Sequence, residues 1–217
     1  MAESDSKGPN CKVVLLGDSG VGKTCIISRY ISGTFDAQSA STNGASYASK
    51  NVNYENLGKS LTLDIWDTAG QEKYKALTKF FYKDAAVAIL VYDITVRESF
   101  EHLKDYWYQQ IKNNGDKNIV LGIAGNKSDL FEDEDVPEQE AREFANSIGA
   151  IFGLTSAKSN AGVDKLFLDA GNKYLDPSFQ QLITKAQKDK EEEQGKKITL
   201  DKKENQKEVK KKKGGLC

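Results

Sequence analysis

One short segment of the chain carries the residue types that bind phosphate. Gly17-Asp-Ser-Gly-Val-Gly-Lys-Thr24 fits the pattern G-x-x-x-x-G-K-[ST] and lies between a strand-like run and a helix-like run. In this pattern the glycines let backbone N–H groups turn inward around phosphates, Lys23 reaches the outer phosphates, and the Thr24 hydroxyl binds Mg²⁺. A glycine-rich turn without a ligand is the alternative. The residues predicted to bind phosphate here are Gly17, Asp18, Ser19, Gly20, Val21, Gly22, Lys23, Thr24 and Cys25.

A second motif, Asp67-Thr-Ala-Gly70-Gln71, ends another predicted strand. An acid at the carboxyl end of a strand, level with the phosphate site, can hold Mg²⁺ through water. The Gly70 N–H can donate to a terminal phosphate, and Gln71 can orient an attacking water. Alone, an acid followed by a turn and a glycine is common loop chemistry. After a phosphate-binding motif, it predicts phosphoryl transfer with Lys23, Gly70 and Gln71 as catalytic residues.

Two later segments have the chemistry to read a purine base. The Asp129 carboxylate, in Asn126-Lys-Ser-Asp129, can accept hydrogen bonds from the ring N–H and the exocyclic amine of guanine. Adenine offers no matching donors, and a site that loses a required hydrogen bond discriminates by roughly 10⁴. Alone, this segment is equally compatible with a helix N-cap. Ser156-Ala-Lys158 supplies a backbone N–H and an alkyl stem to the same base. The predicted base-binding residues of the two segments are Asn126, Lys127, Asp129, Ser156, Ala157 and Lys158.

The segments around these motifs predict alternating strands and helices. Apolar or alternating runs predict six strands, and helical patterns fill most of the gaps between them. One antiparallel edge strand on an otherwise parallel six-stranded sheet, with five helices on both faces, is the expected α/β arrangement. The predicted strands are 11–16, 47–53, 61–67, 85–92, 119–124 and 151–154, and helices are expected over about 22–31, 97–112, 137–147 and 162–175.

Composition and charge limit the classes of protein that the chain can be. The 217 residues are 38% apolar and 29% charged, which excludes collagen-like, fully disordered and coiled-coil chains. No apolar run approaches the length of a membrane span, and three cysteines are too few for a disulfide framework. Residues 177–217 carry twelve lysines against seven acids, although the net charge of the whole chain is −1. We therefore expect a flexible N-terminus (1–10), one folded domain (11–176) and a disordered lysine-rich tail (177–217).

The four motifs, in this order, resemble those of a small GTPase of the Ras superfamily, over residues 11–175. Leu63–Tyr74, Phe81-Tyr82 and Tyr92–Thr95 resemble the Rab branch of that superfamily. The resemblance implies a P-loop NTPase G domain that binds GTP or GDP with Mg²⁺. It also implies that Phe35 stacks on the edge of the guanine, and that Thr42 binds phosphate-bound Mg²⁺ only when the γ-phosphate is present.

The resemblance also implies a switch that partner proteins can read. The γ-phosphate and Mg²⁺ are expected to order residues 36–47 and 68–82, and hydrolysis to release them. Tyr47, Trp66 and Phe81 are the expected effector surface. On strand 61–67 the alternation places Trp66 on the solvent side, with partial cover by neighbouring side chains as the alternative.

Slow intrinsic hydrolysis is expected from the positions of the arginines. No arginine lies between Gly33 and Asp67, so a cis arginine finger is absent from the first switch segment. We expect a rate on the order of 10⁻³ s⁻¹ or below, with acceleration by an activating protein in trans. A guanine-bound adaptor that does not hydrolyse GTP, a non-Rab signalling GTPase of the same superfamily and an ATP-using P-loop kinase or ATPase are the alternatives. The one histidine, His102, is expected on the surface.

The C-terminal tail has the features of a membrane tether. Cys217 is the last residue, behind Gly-Gly-Leu and the four lysines Lys210–Lys213. Resemblance to Rab-like chains implies prenylation at Cys217, with a free thiol as the alternative. The lysines can add attraction to an anionic leaflet. We expect a monomer on the cytosolic face of an endosomal or secretory membrane. The expected partners are effectors, an exchange factor, an activating protein and a GDP-dissociation inhibitor or escort protein, without nucleic acid.

Overall fold

The structure is a computed structural model, and it describes residues 8–37, 42, 45–68 and 82–181. The described residues contain six strands. Their bounds are β1 (Asn10–Leu16), β2 (Ala45–Tyr54), β3 (Lys59–Thr68), β4 (Val87–Asp93), β5 (Val120–Asn126) and β6 (Ile151–Leu154). Each predicted strand is present, and the ends differ from the predicted ones by at most two residues.

Helices fill most of the connections between the strands. They are α1 (Lys23–Ser32), α2 (Arg97–His102), α3 (Tyr108–Asn114), α4 (Glu138–Ser147) and α5 (Val163–Leu175). A π-helical turn (Leu103–Trp107) joins α2 to α3, so the single helix predicted over 97–112 is a composite of three parts. The predicted helix between β3 and β4 lies largely outside the described residues. Short 3₁₀ turns cover Glu55–Leu57 and Ser128–Asp133.

The six strands form one sheet in the order β2-β3-β1-β4-β5-β6. β2 pairs with β3 antiparallel, and the other neighbours are parallel, for example Val13 beside Ile65 and beside Val87. This confirms the predicted fold class. Every residue of β4 is buried, as expected for a central parallel strand that is covered on both faces.

The sheet places the four motifs at one edge. β1, β3, β5 and β6 run in the same direction, so the loops after their carboxyl ends meet in one crevice. On β3 the predicted alternation is present: Leu61, Leu63 and Ile65 are buried. A hydrogen bond from the Thr68 hydroxyl to the Leu15 carbonyl, 2.7 Å, holds the end of β3 against β1. The motifs on these two strands are thereby fixed beside each other.

The chain divides into two compact units between Leu175 and Asp176. In the second unit, the described residues 177–181 are helical, and the Asp176 carboxylate accepts a hydrogen bond from the Ser178 N–H at 2.8 Å. Among the described residues, no helix combines the length and the apolar character that crossing a membrane requires.

Candidate nucleotide site

The phosphate loop (Gly17–Thr24) is wound around the ammonium of Lys23. Lys23 is 5% exposed, and its Nζ donates hydrogen bonds of 2.8 Å to the carbonyls of Gly17 and Asp18. Burial lowers the pKa of Lys23 to about 8. Gly17 has φ +149°, and a Cβ there would lie 2.2 Å from the Val91 carbonyl oxygen, so glycine is required for the loop to pack on β4. This positions a cation at the floor of the crevice.

Three side-chain oxygens converge beside Lys23. The Thr24 hydroxyl donates to Asp67 Oδ2 at 2.6 Å, and it lies 2.6 Å from the Thr42 hydroxyl oxygen. Thr42 also donates to Asp67 Oδ2, at 3.3 Å. The other carboxylate oxygen, Asp67 Oδ1, is buried without a hydrogen-bond partner. Burial raises the pKa of Asp67, and the hydrogen bond from Thr24 opposes that shift.

This oxygen cluster fits a magnesium ion. Mg²⁺ prefers oxygen ligands, and in phosphate sites it takes one or two side chains and fills its other positions with phosphate and water. Two hydroxyls and one carboxylate with an unpartnered oxygen match that donor set. No group of three or more His, Cys, Asp and Glu side chains among the described residues is arranged to hold a metal, so this cluster relies on its two hydroxyls beside one carboxylate.

Asn126 links the phosphate loop to the strands that carry the base-reading motifs. Its Nδ2 donates to the Val21 carbonyl at 2.8 Å, and its Oδ1 accepts from the Thr155 hydroxyl at 3.2 Å. A Cβ on Gly22 would lie 2.3 Å from Asn126 Nδ2, so this link needs glycine at position 22. The amide of Asn126 therefore binds protein atoms of both segments and holds them together.

Asp129 is held at the other end of the crevice. Its Oδ1 accepts a 2.6 Å hydrogen bond from the Ser156 hydroxyl, and Lys158 Nζ lies 3.6 Å from Oδ2. The 3₁₀ turn that contains Asp129 begins after Lys127 without a side-chain cap. The helix-cap alternative for this motif is therefore wrong. Lys127 has φ +65°, and its Nζ lies 2.5 Å from Asp93 Oδ2, which fixes the side chain along the crevice.

One cavity of about 310 Å³ joins these two ends. A volume of this size is typical of a small-molecule site. The predicted site residues that line it are Ser19, Gly20, Lys23, Thr24, Cys25, Phe35, Thr42, Asn126, Lys127, Asp129, Ala157 and Lys158. The structure thus places phosphate-loop residues and base-reading residues on the wall of a single cavity.

Several predicted site residues lie outside the described part of the chain: Gly70, Gln71, Phe81 and Cys217. Of the predicted effector surface, Tyr47 is 55% exposed, and its ring meets the half-buried Trp66 edge-on at 5.4 Å. The Tyr47 hydroxyl donates to Asp64 Oδ1 at 2.6 Å. Lys12 Nζ lies 5.5 Å from the centre of the Trp66 ring, so Trp66 is partly covered by its neighbours.

Sequence reasoning missed Arg29 on α1. Its guanidinium donates to the carbonyls of Ala157 at 2.7 Å and Lys158 at 3.1 Å, and also to the Gly33 carbonyl. One planar donor group thus holds the base-reading loop against the end of α1. Only the contact with Gly33, four residues away on the helix, is local. The partners in the base-reading loop are more than 120 residues away and carry no sequence signal.

The expected surface position of His102 holds in part, since its side chain is 33% exposed. Its ring is half-buried, and Nδ1 lies 2.6 Å from Asp18 Oδ1 in the phosphate loop. The polar sequence of α2 suggested a solvated face, but the neighbouring loop covers this part of it.

Comparison with known proteins identifies relatives over nearly the whole first unit. The model of the Ras family matches residues 12–176. Human Ras-related protein Rab-22A is 47% identical over 159 residues, which cover 73% of this chain and 80% of that protein. Mouse Rab-31 is 47% identical over 157 residues, 72% of this chain and 78% of that protein. Rab11A of Lotus japonicus is 43% identical over 156 residues, 72% and 68% of the two chains.

The family match spans the same residues that form the sheet and the cavity. The predicted Rab-type identity and the predicted GTPase activity are confirmed. The chain belongs to the Ras family, as a Rab-type small GTPase that hydrolyses GTP and acts in vesicle trafficking.

Proposed function

We propose that the 310 Å³ cavity holds GTP or GDP with Mg²⁺, with the phosphates at the Lys23 end and guanine at the Asp129 end. The observation that carries this proposal is the joining of both ends in one cavity. Asp129 lines it with a carboxylate already held by Ser156, which leaves its remaining lone pairs for the guanine N–H groups. Phe35, Ala157 and the Lys158 stem complete the base site. An adenine nucleotide would leave this carboxylate unpaired.

The residues at the phosphate end have separate roles. Lys23 exchanges its carbonyl partners for phosphate oxygens, and backbone N–H groups of residues 19–25 donate to the phosphates. Thr24 and Thr42 would hold Mg²⁺ directly and Asp67 through water, and the bound ion would neutralise charge that develops on the phosphates. Gly70 donates to the γ-phosphate, and Gln71 orients the attacking water. These last two residues lie outside the described part of the chain.

Thr42 connects the nucleotide to the surface that partners read. It belongs to the first switch segment, and its hydroxyl lies within 3.3 Å of both Thr24 and Asp67. When the γ-phosphate is lost, Thr42 no longer binds at the Mg²⁺ site, and residues 36–47 are released. The effector surface formed by Tyr47, Trp66 and Phe81 then changes its conformation. An exchange factor, an activating protein and a GDP-dissociation inhibitor act on the same cycle.

The lysine-rich tail would tether the protein to a membrane. A single prenyl group on Cys217 binds a bilayer reversibly, and Lys210–Lys213 supply the second signal on an anionic surface. This places the protein on the cytosolic face of an endosomal or secretory vesicle.

Changing Asp129 to Asn should reverse the preference for the base. The amide would face guanine donors with a donor of its own, so GDP affinity should fall by roughly 10² or more. Xanthosine diphosphate, which carries an oxygen in place of the exocyclic amine, should bind the variant better than GDP. Competition against a fluorescent GDP measures both. Asp133→Asn, on the same 3₁₀ turn and exposed, should bind as the wild type does. Unchanged preference in Asp129→Asn would contradict the assignment.

Changing Thr24 to Val should weaken the affinity for magnesium without removing side-chain volume. The variant loses one oxygen ligand, so the Mg²⁺ concentration that half-maximally retains GDP should rise roughly tenfold or more. Thr62→Val removes a hydroxyl from the far end of β3, where it contacts the Gly8 carbonyl, and should leave the Mg²⁺ titration unchanged. Equal titrations for wild type and Thr24→Val would remove Thr24 from the metal site.

Intrinsic hydrolysis should be slow. The sequence between Gly33 and Asp67 supplies no arginine to the transferring phosphate, so single-turnover GTP hydrolysis should proceed at about 10⁻³ s⁻¹ or less. Phosphate release from the GTP-loaded protein measures this rate. A rate above about 1 s⁻¹ without a partner would contradict the proposal, and complete absence of hydrolysis with an activating protein would favour an adaptor.

Replacing Cys217 with Ser should abolish membrane pelleting of the full chain from cells. The change removes the only lipid acceptor that the tail offers, and the lysines alone do not hold a protein on a bilayer stably. The variant should retain GDP affinity, which shows that the folded domain is intact. Pelleting equal to the wild type would disprove the lipid tether, and a variant in which Lys210–Lys213 become Gln then tests the charge alone.

A further inference from the structure

Two side chains from one helical segment converge on a single oxygen of the phosphate loop. Trp107 Nε1 donates a 2.8 Å hydrogen bond to Asp18 Oδ1, and His102 Nδ1 lies 2.6 Å from the same atom. Asp18 is more than 80 residues away from both in the sequence. The contact therefore joins the segment from α2 to α3 to the loop that surrounds the phosphates.

The π-helical turn makes this convergence possible. His102 and Trp107 are five residues apart, and on a regular α-helix such residues point roughly 140° away from each other. The turn Leu103–Trp107 instead has i→i+5 bonding, with the Tyr108 N–H donating to the Leu103 carbonyl. This wider turn brings residues five apart close to one face. An α-helix with the same sequence would direct only one of the two side chains at Asp18.

Packing holds the two donors in place. Trp107 is 1% exposed and lies in the core cluster with Phe100 and Leu103. The His102 ring stacks on Tyr106, with 5.1 Å between the ring centres and 21° between the planes. A buried indole has few alternative positions, so its N–H fixes where the Asp18 carboxylate can lie.

Asp18 passes this constraint to the catalytic lysine. While its side chain is held by His102 and Trp107, its backbone carbonyl accepts a hydrogen bond from Lys23 Nζ. The Asp18 carboxylate also attracts the Lys23 ammonium electrostatically, and its side chain is 27% exposed. The loop conformation around Lys23 therefore depends on a side chain anchored outside the loop.

We propose that His102 and Trp107 are positioning residues for the phosphate loop, and that through Asp18 they slow the release of bound nucleotide. The inference rests on the nucleotide site proposed above. Neither residue lines the cavity, so both act through Asp18. A displacement of the π-helical turn would loosen the phosphate loop without any contact with the nucleotide.

The hydrogen bond itself has a spectroscopic signature. The chain has two tryptophans, so the ¹H–¹⁵N spectrum of the GDP-bound protein should show two indole N–H signals. Trp107→Phe assigns them by removing one. Asp18→Ala should shift the Trp107 signal and leave that of Trp66 in place, because the Trp66 ring packs beside Tyr47 and Lys12 on other strands. An unmoved Trp107 signal would overturn the proposed contact.

The functional test compares rates of release of a fluorescent GDP in Mg²⁺. Trp107→Phe keeps the ring and loses the donor, and His102→Ala tests the second donor at a half-exposed position that tolerates substitution. Each should speed release by about three- to tenfold, because a hydrogen bond to a charged acceptor is lost. In an Asp18→Ala background neither change should add more, which separates this role from general destabilisation. Tyr108→Phe is the matched control, because the Tyr108 ring packs against Phe144, and it should release GDP at the wild-type rate.

The outcomes separate the inference from the proposed function. If the wild type binds GDP tightly and both variants release it at the wild-type rate, the positioning role is overturned and the nucleotide site remains. If the effects of Trp107→Phe and Asp18→Ala add in full, the two residues act independently and the coupling is disproved. If the wild type shows no preference for guanine nucleotides, both the function and the inference fail.

Discussion

Two opposite charges buried beside one cavity constrain the rest of the structure. Lys23 and Asp67 are both nearly inaccessible to solvent. Burial lowers the pKa of Lys23 and raises the pKa of Asp67, which favours the neutral form of each. Burying an ion costs several kcal/mol unless it is paired and hydrogen-bonded. In the protein, loop carbonyls and threonine hydroxyls supply part of that compensation. Phosphate oxygens and a divalent cation would supply the rest, which explains why such a site favours a ligand with both.

The geometry that buries these charges depends on contacts between distant parts of the sequence. Asn126 binds the Val21 carbonyl, Arg29 binds the Ala157 and Lys158 carbonyls, and Thr68 binds the Leu15 carbonyl. In each contact the acceptor is a backbone carbonyl. The contact therefore fixes the accepting segment independently of the side chains that this segment carries. The parallel sheet makes such contacts possible because it brings the ends of separate strands together.

The sequence predicted the motifs and the sheet because their signals are local. The spacing of Gly17, Gly22 and Lys23 and the apolar run of β4 each lie within a few residues. The direction of individual side chains was not predictable in the same way. The contact of the Asn126 amide with the phosphate loop, for example, was not predicted. The π-helical turn has no periodic pattern of its own, so a regular helix was predicted over 97–112, and the contact between His102 and Asp18 was not foreseen.

The phosphate loop is thus held from three sides by residues of different motifs. Asn126 reaches it from the base-reading strand, Asp18 anchors it to the helical segment at the π-helical turn, and Thr24 joins it to the first switch segment through Thr42. Lys23 lies at the centre of these contacts. A displacement at any of the three sides alters the positions of the loop carbonyls that bind the Lys23 ammonium. In the proposed nucleotide site, release of the nucleotide would therefore respond to surfaces that never touch it, since each surface needs only to move its own anchor.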